Sequence, residues 1–203
     1  AGIAGIASSI RLANQGYKVE VYEANTYLGG KLTEKRLGAY RFDAGPSLFT
    51  VPDLVDELFR LSDLDTKAHF EYSSLEEICR YFYEDGTRVT AFSDKEKLIK
   101  ELEEKVNADP AKVQQYLDKS AYIHKHTGEL FLEKSLHKIS SYLNWSTFVS
   151  ILNLPFLNIF TNMDKVNKRK LGNEKLRQMF NRYATYNGSN PYKAPGILNI
   201  IPH

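Results

Sequence analysis

The sequence predicts an α/β fold: a βαβ unit of the kind that grips a dinucleotide, followed by an inserted α+β domain of helices and antiparallel strands. Three observations predict it. Ala1-Gly2-Ile3-Ala4-Gly5-Ile6 reads as the second and third glycines of a G-x-G-x-x-G turn, whose first glycine and preceding strand fall just upstream of Ala1. An amphipathic helix and a short alternating strand follow, and Glu23 stands at the strand's end, 21 residues after Gly2. Near position 75 the pattern changes to aromatic alternation and charged helices, which divides the chain into residues 1–75 and an incomplete second domain over 76–203.

The turn demands close backbone approach. A strand must bend sharply into a helix so that N–H groups at the helix N-terminus face a pyrophosphate, and side chains there would block the contact. Gly2 suits the second position, and Gly5 suits the third, where helix and strand pack tightly. In the helix Ile6, Ile10, Leu12 and Ala13 are apolar, Arg11 and Asn14 are polar, and Gly16 supplies the stop. Val19 and Val21 then alternate with Lys18, Glu20 and Tyr22 as a strand. An acid at position 23 accepts both ribose hydroxyls of an adenine dinucleotide and argues against a 2′-phosphate.

Next comes a loop closing on Gly29-Gly30-Lys31, where the glycines let the backbone lie against a cofactor and Lys31 offsets pyrophosphate charge. A plain glycine turn with a solvated Lys is the alternative. Tyr40-Arg41-Phe42-Asp43-Ala44-Gly45-Pro46-Ser47 runs from a short strand into a rigid Gly-Pro turn, a suitable wall for a flat ring system.

Composition bounds the function. The 203 residues suffice for one or two domains, yet the missing initiator Met, the missing first strand and the apolar last residues mark a piece of a longer protein. A net charge of +2 supplies no electrostatic case for nucleic acid, so no such partner is expected. The single Cys79 excludes an intrachain disulfide framework, fits a reducing compartment, and reads as a small apolar residue. His124 and His126 are two apart and would not share a helical face, so no metal site is expected. No run reaches the roughly 18 apolar residues of a membrane span.

After the Gly-Pro turn a helix starts at Thr50-Val51-Pro52-Asp53 and presents Leu54, Val55, Leu58, Phe59 and Leu61 on one face. A hairpin follows from Ile78 to Phe92, with Cys79, Tyr81 and Tyr83 alternating with Arg80 and Phe82 and Asp85-Gly86 at the turn. Its aromatics are explained by sheet packing as readily as by a substrate wall. Asp94–Lys105 reads as a helix with a solvated face. Asn107-Ala108-Asp109-Pro110 stops it and starts another that carries Val113, Tyr116, Leu117 and Ile123 inward. Trp145–Phe160 is the most apolar stretch, broken by Pro155, and Lys165, Lys168, Arg169 and Lys170 follow it. It is either a helix pair inside the fold or a patch that dips into a membrane interface beside anionic headgroups. Phe180–Tyr192 ends in a turn-rich loop.

Together, Gly2 to Ser47, with Glu23, Gly29-Gly30-Lys31 and Phe42-Asp43-Ala44-Gly45-Pro46-Ser47, resembles the N-terminal FAD-binding part of the carotenoid desaturases. These are the phytoene and hydroxycarotenoid desaturases of the amine-oxidase-like flavoproteins. The likeness is specific over about the first 50 residues and looser, though collinear, to His203. Lys31 stands where the family more often has Arg, which keeps charge and loses bidentate geometry.

The resemblance implies a Rossmann-like FAD-binding unit in which Gly2 and Gly5 face the pyrophosphate, Glu23 the adenosine ribose, and Gly29, Gly30 and Lys31 the phosphates. Gly45, Pro46 and Ser47 would approach the flavin, although Ser47 also suits a turn hydroxyl or a cap, and Asp43 a turn-capping carboxylate. It further implies desaturation of a lipophilic polyene in carotenoid biosynthesis, with phytoene or a 1-hydroxycarotenoid as substrate and the lean toward 3,4-desaturation of the latter. Quinone or oxygen would accept the electrons, and the enzyme would be cytoplasmic or peripheral on the cytoplasmic membrane. No residue reads as the catalytic base. The alternatives are an amine oxidase or retinol saturase-like flavoenzyme, or a non-catalytic dinucleotide-binding module. The fragment alone would lack part of its cofactor site and its substrate tunnel.

Overall fold

The structure is a computed structural model that describes residues 1–46, 49–128 and 158–202. Contacts divide the chain into two compact units, Ala1–Ser74 and Leu75–His203.

The first unit opens on helix α1 (Ile3–Asn14), which ends before Gly16 at φ +88° as the sequence predicts. The expected strand over residues 18–22 does not form. A strand exists only through its ladder, and among the described residues nothing pairs with this segment. The short strand expected before the Gly-Pro turn does form, as β2 (Tyr40–Asp43), and it pairs antiparallel with an unexpected β1 (Glu34–Leu37) through a turn at Gly38. All eight strand residues are exposed, and the pair is laced by charge, Arg36 donating to Glu34 at 2.7 Å and Arg41 meeting Asp43 at 3.0 Å and Glu34 as well. Helix α2 (Asp53–Leu61) follows Pro52, which occupies the N-cap without a side-chain cap, so Thr50 does not serve as one. Arg11 of α1 meets Glu57 of α2 at 2.9 Å, and Asn14 Nδ2 donates to Ser62 Oγ at 3.0 Å. The short α3 (Thr66–His69) closes the unit.

The second unit holds the hydrophobic core. Strands β3 (Glu77–Phe82) and β4 (Arg88–Phe92) form the expected hairpin, with a bulge between Glu77 and Cys79. The alternation places Cys79, Tyr81 and Tyr83 against the core and leaves Phe82 70% exposed. Helix α4 (Lys95–Val106) is capped by Asp94, whose side chain accepts from Lys97 N at 2.8 Å. It buries Leu102 and Val106 beneath its charged outer face. Asn107 takes φ +51°, and Asp109 accepts from Ala111 N at 3.0 Å as α5 (Pro110–Gly128) begins. Then come α6 (Met163–Leu171), α7 (Glu174–Asn181) and short 3-10 helices over Arg182–Asn187 and Gly196–Ile200.

The core joins β4, α4, α5, α6 and α7 around Phe180, whose ring lies 4.6 Å from that of Tyr116. A buried polar chain crosses beside it. Tyr116 Oη donates to Asn167 Oδ1 (2.8 Å), Asn167 Nδ2 to Asn181 Oδ1 (2.9 Å), and Asn181 Nδ2 to Asp164 Oδ1 (2.7 Å). Arg177 clamps that carboxylate at 2.6 and 2.9 Å and holds Asp164 below the ordinary carboxylate range. Each buried donor and acceptor in the chain finds a partner, which is what makes its burial tolerable.

Residues 145–157 of the apolar stretch, and the run from α5 towards Phe131, lie outside the described residues. Phe160, at the stretch's end, is 91% exposed. No helix among the described residues is long and apolar enough to cross a membrane.

The packing predicts that Phe180→Ala costs about 3–5 kcal/mol through the cavity it leaves, whereas Phe82→Ala costs under about 1 kcal/mol. Urea unfolding of the two variants measures the difference.

Candidate functional site

The site assembles where the chain start meets the glycine loop. Gly2 forms a parallel bridge with Gly29, and Gly29 N donates to Ala1 O at 3.0 Å. Gly29 and Gly30 both hold left-handed backbone, at φ +109° and +60°. A Cβ on Gly29 would stand 2.4 Å from the Leu32 carbonyl oxygen, and one on Gly30 would stand 3.1 Å from Gly2 Cα. Gly29 is thus required by the fold-back of its own loop and by its left-handed backbone, and Gly30 lies close against the turn. Gly45 is tighter still, since a Cβ there would lie 1.8 Å from the carbonyl oxygen of Lys31.

Gly5 departs from expectation. Nothing stands within 4 Å of a Cβ built on it, and α1 buries none of its residues, so the tight helix–strand packing is not found among the described residues.

A cleft of about 480 Å³ opens at the α1 N-terminus. Gly2, Gly5, Gly29, Lys31 and Pro46 line it, and its walls are otherwise mostly apolar. Gly30 backs onto Gly2, and Gly45 backs onto Lys31. Glu23 is tied to the turn through the Ala1 nitrogen, from which its carboxylate accepts, and it also accepts from Asn25 N and Nδ2 at 2.9 Å each. The bonds from Asn25 favour the charged form of the carboxylate. At neutral pH it is therefore an acceptor only, with lone pairs to spare for hydroxyl donors. Ser47 lies outside the described residues. Asp43 is 54% exposed and engaged with Arg41, which fits a hairpin role.

Sequence reasoning missed most of the cleft wall: Leu32, Phe49, Val51, Leu54 and Val55. Leu54 and Val55 were legible as an apolar helix face, but Leu54 stays 56% exposed on the cleft. Val51 adopts φ +53°, a region that costs a β-branched residue about 1–3 kcal/mol and often marks a functional wall.

The residues present fit a dinucleotide. Helix α1 begins at Gly2 with no side-chain cap and no acid in its first turn, so its free N–H groups and positive dipole end suit a pyrophosphate. Glycine backbone surrounds that end, and an ionised Glu23 is held beside it. Among the described residues no group of three or more His, Cys, Asp or Glu could hold a metal.

Comparison with known proteins agrees. Residues 1–63 match the family model of an NAD(P)-binding Rossmann-like domain. Over 202 residues the chain is 48% identical to a 1-hydroxycarotenoid 3,4-desaturase of Flavobacterium sp. (strain P99-3), covering 100% of this chain and 41% of that protein. It is 28% identical over 202 residues to a 4,4'-diaponeurosporene oxygenase of Staphylococcus haemolyticus (strain JCSC1435), covering 100% of this chain and 40% of that protein. It is 29% identical over 203 residues to a 4,4'-diapolycopene oxygenase of Methylomonas sp, with the same 100% and 40% coverage. The chain spans about two fifths of the length of these relatives. The resemblance to carotenoid desaturases extends over the whole chain, and the Rossmann-like reading of its first part holds.

Gly45→Ala should destabilise the first unit by about 1–3 kcal/mol through overpacking. Gly5→Ala should leave stability equal or raise it by up to about 1 kcal/mol, since alanine favours the helix, while weakening dinucleotide binding at the cleft. Unfolding curves read alongside a cofactor titration separate the two effects.

Proposed function

We propose that the intact protein is an FAD-dependent oxidoreductase that desaturates a carotenoid polyene, with residues 1–75 contributing to the cofactor domain and 76–203 to the substrate domain. The observation that carries this reading is the 48% identity, along the whole of this chain and two fifths of the relative, to a 1-hydroxycarotenoid 3,4-desaturase, and it favours that reaction over phytoene desaturation. When bound, the flavin supplies the two-electron oxidation.

The chain's own residues bind and align. The N–H groups at the start of α1, opened by Gly2 and Gly5, receive the pyrophosphate. Glu23 accepts from the adenosine ribose hydroxyls, and Lys31, beside Gly29 and Gly30, offsets phosphate charge. Gly45 and Pro46 lie toward the flavin ring, a role that the resemblance also gives to Ser47. The apolar wall from Leu32 to Val55 keeps water from the bound cofactor. Loss of a hydride and a proton from the polyene introduces each double bond, and a quinone or oxygen is the acceptor that balances the electrons. A lipophilic substrate is best met at a membrane surface, which the exposed Phe160 supports.

A second reading, polyene oxygenation, is favoured by the two oxygenase relatives, at lower identity. The full-length protein, supplemented with FAD, should show flavin absorption bands. Incubated in liposomes with a 1-hydroxycarotenoid, it should yield a product lighter by two hydrogens per double bond. A product heavier by oxygen would select the second reading, and folded protein without flavin bands would reject both. Glu23→Gln should weaken FAD binding by about tenfold, because a charge-assisted acceptor is lost.

A further inference from the structure

The second unit contains a cavity of about 340 Å³, roughly ten water volumes, between α5, α6 and the 3-10 helix Gly196–Ile200. Four cations line it: Lys112 and Lys119 from one face of α5, and Arg169 and Lys170 from α6. No carboxylate is among its described lining residues. Among the described residues, Lys112 has Asp109 at 3.8 Å, Arg169 donates a long 3.4 Å bond to Asn158, and Lys119 rests over the Tyr122 ring at 4.6 Å. Burial, and then repulsion from Lys170, lower the Lys119 pKa. The cavity thus gathers positive charge that the described residues leave largely unneutralised.

An independent observation sits in the same wall. Asn199 is 5% exposed, and among the described residues neither its Oδ1 nor its Nδ2 has a hydrogen-bond partner. Its backbone is pinned, because Ser120 Oγ donates to the Asn199 carbonyl oxygen at 2.7 Å. A buried amide with both ends unpaired is costly, and one lining a cationic cavity is explained by a missing partner that is both acceptor and donor.

We propose that this cavity is a binding site for a phosphate monoester group. Its oxygens accept from Lys119, Lys170, Arg169 and Asn199 Nδ2, and in its monoanionic form the protonated oxygen donates to Asn199 Oδ1. Sulfate, which carries no proton at neutral pH, satisfies only the first half of this pattern. Free phosphate and the headgroup of phosphatidic acid share the required chemistry.

The test uses full-length protein saturated with FAD, so that the glycine turn is already filled, and reads binding by calorimetry rather than activity. Inorganic phosphate should bind, and more tightly than sulfate. Lys119→Gln/Lys170→Gln should weaken it by at least about tenfold. Lys100→Gln/Lys105→Gln, which removes the same charge from the exposed face of α4, should leave it unchanged. Asn199→Leu should lose phosphate without a lower melting temperature, because it removes an unpaired buried amide. In parallel, phosphatidylcholine vesicles with and without phosphatidic acid are sedimented with each variant. Binding of vesicles alone, lost in the Lys119/Lys170 pair, would identify the lipid as the source, and binding of both would identify the phosphate group itself. No binding of phosphate or of phosphatidic acid vesicles, or an equal loss in the α4 control, would overturn the proposal.

Discussion

The first unit depends on one backbone contact, the approach of Gly2 to Gly29 and Gly30. A Cβ on the Gly30 side of that contact would crowd Gly2 Cα at 3.1 Å on a left-handed backbone, and the parallel bridge beside it draws the α1 N-terminus, the glycine loop and Glu23 into one place. The other parts of the site follow. Leu32 turns back over Gly29, the Lys31 carbonyl rests on Gly45, and Pro46 reaches the cleft wall. The chemistry of pyrophosphate binding is therefore inseparable from steric fit between two stretches of main chain.

The two units are held by different physics. In the second, a contiguous apolar core and a satisfied polar chain carry the fold. In the first, Thr66 is the one buried residue among those described; α1 and α2 are joined by an ion pair at the surface, and the β1–β2 hairpin is laced by ion pairs of its own. Exposed pairs of that kind contribute little each. A unit so built gains much from any ligand that binds only its folded form, which links cofactor saturation to its stability.

What the sequence disclosed was local. The stop at Gly16, the Asn107–Pro110 junction and the alternation in β3 each rest on residues a few positions apart, and each is seen in the structure. The strand expected over residues 18–22 required a distant neighbour, which periodicity cannot supply. Strand β1 was hidden for the converse reason: Glu34-Lys35-Arg36-Leu37 has no apolar face and stands by its ladder and charges. At the site, the glycines and Glu23 were legible because few residue types meet their geometry. Val51 and Phe49 were not, because an apolar side chain on a loop has no period. Asn199 carried no signal at all, since its meaning lies in the absence of partners.

The hydrogen bonds from Tyr116 through Asn167 and Asn181 run in one direction and end on the Asp164 carboxylate, which accepts from Arg177 on its other side. Reversing or deleting one link inverts the demand on its neighbour, so these five positions cannot drift singly. Across related sequences they should change together or stay together, and a library randomised at one of them alone should return almost nothing but the residue already there.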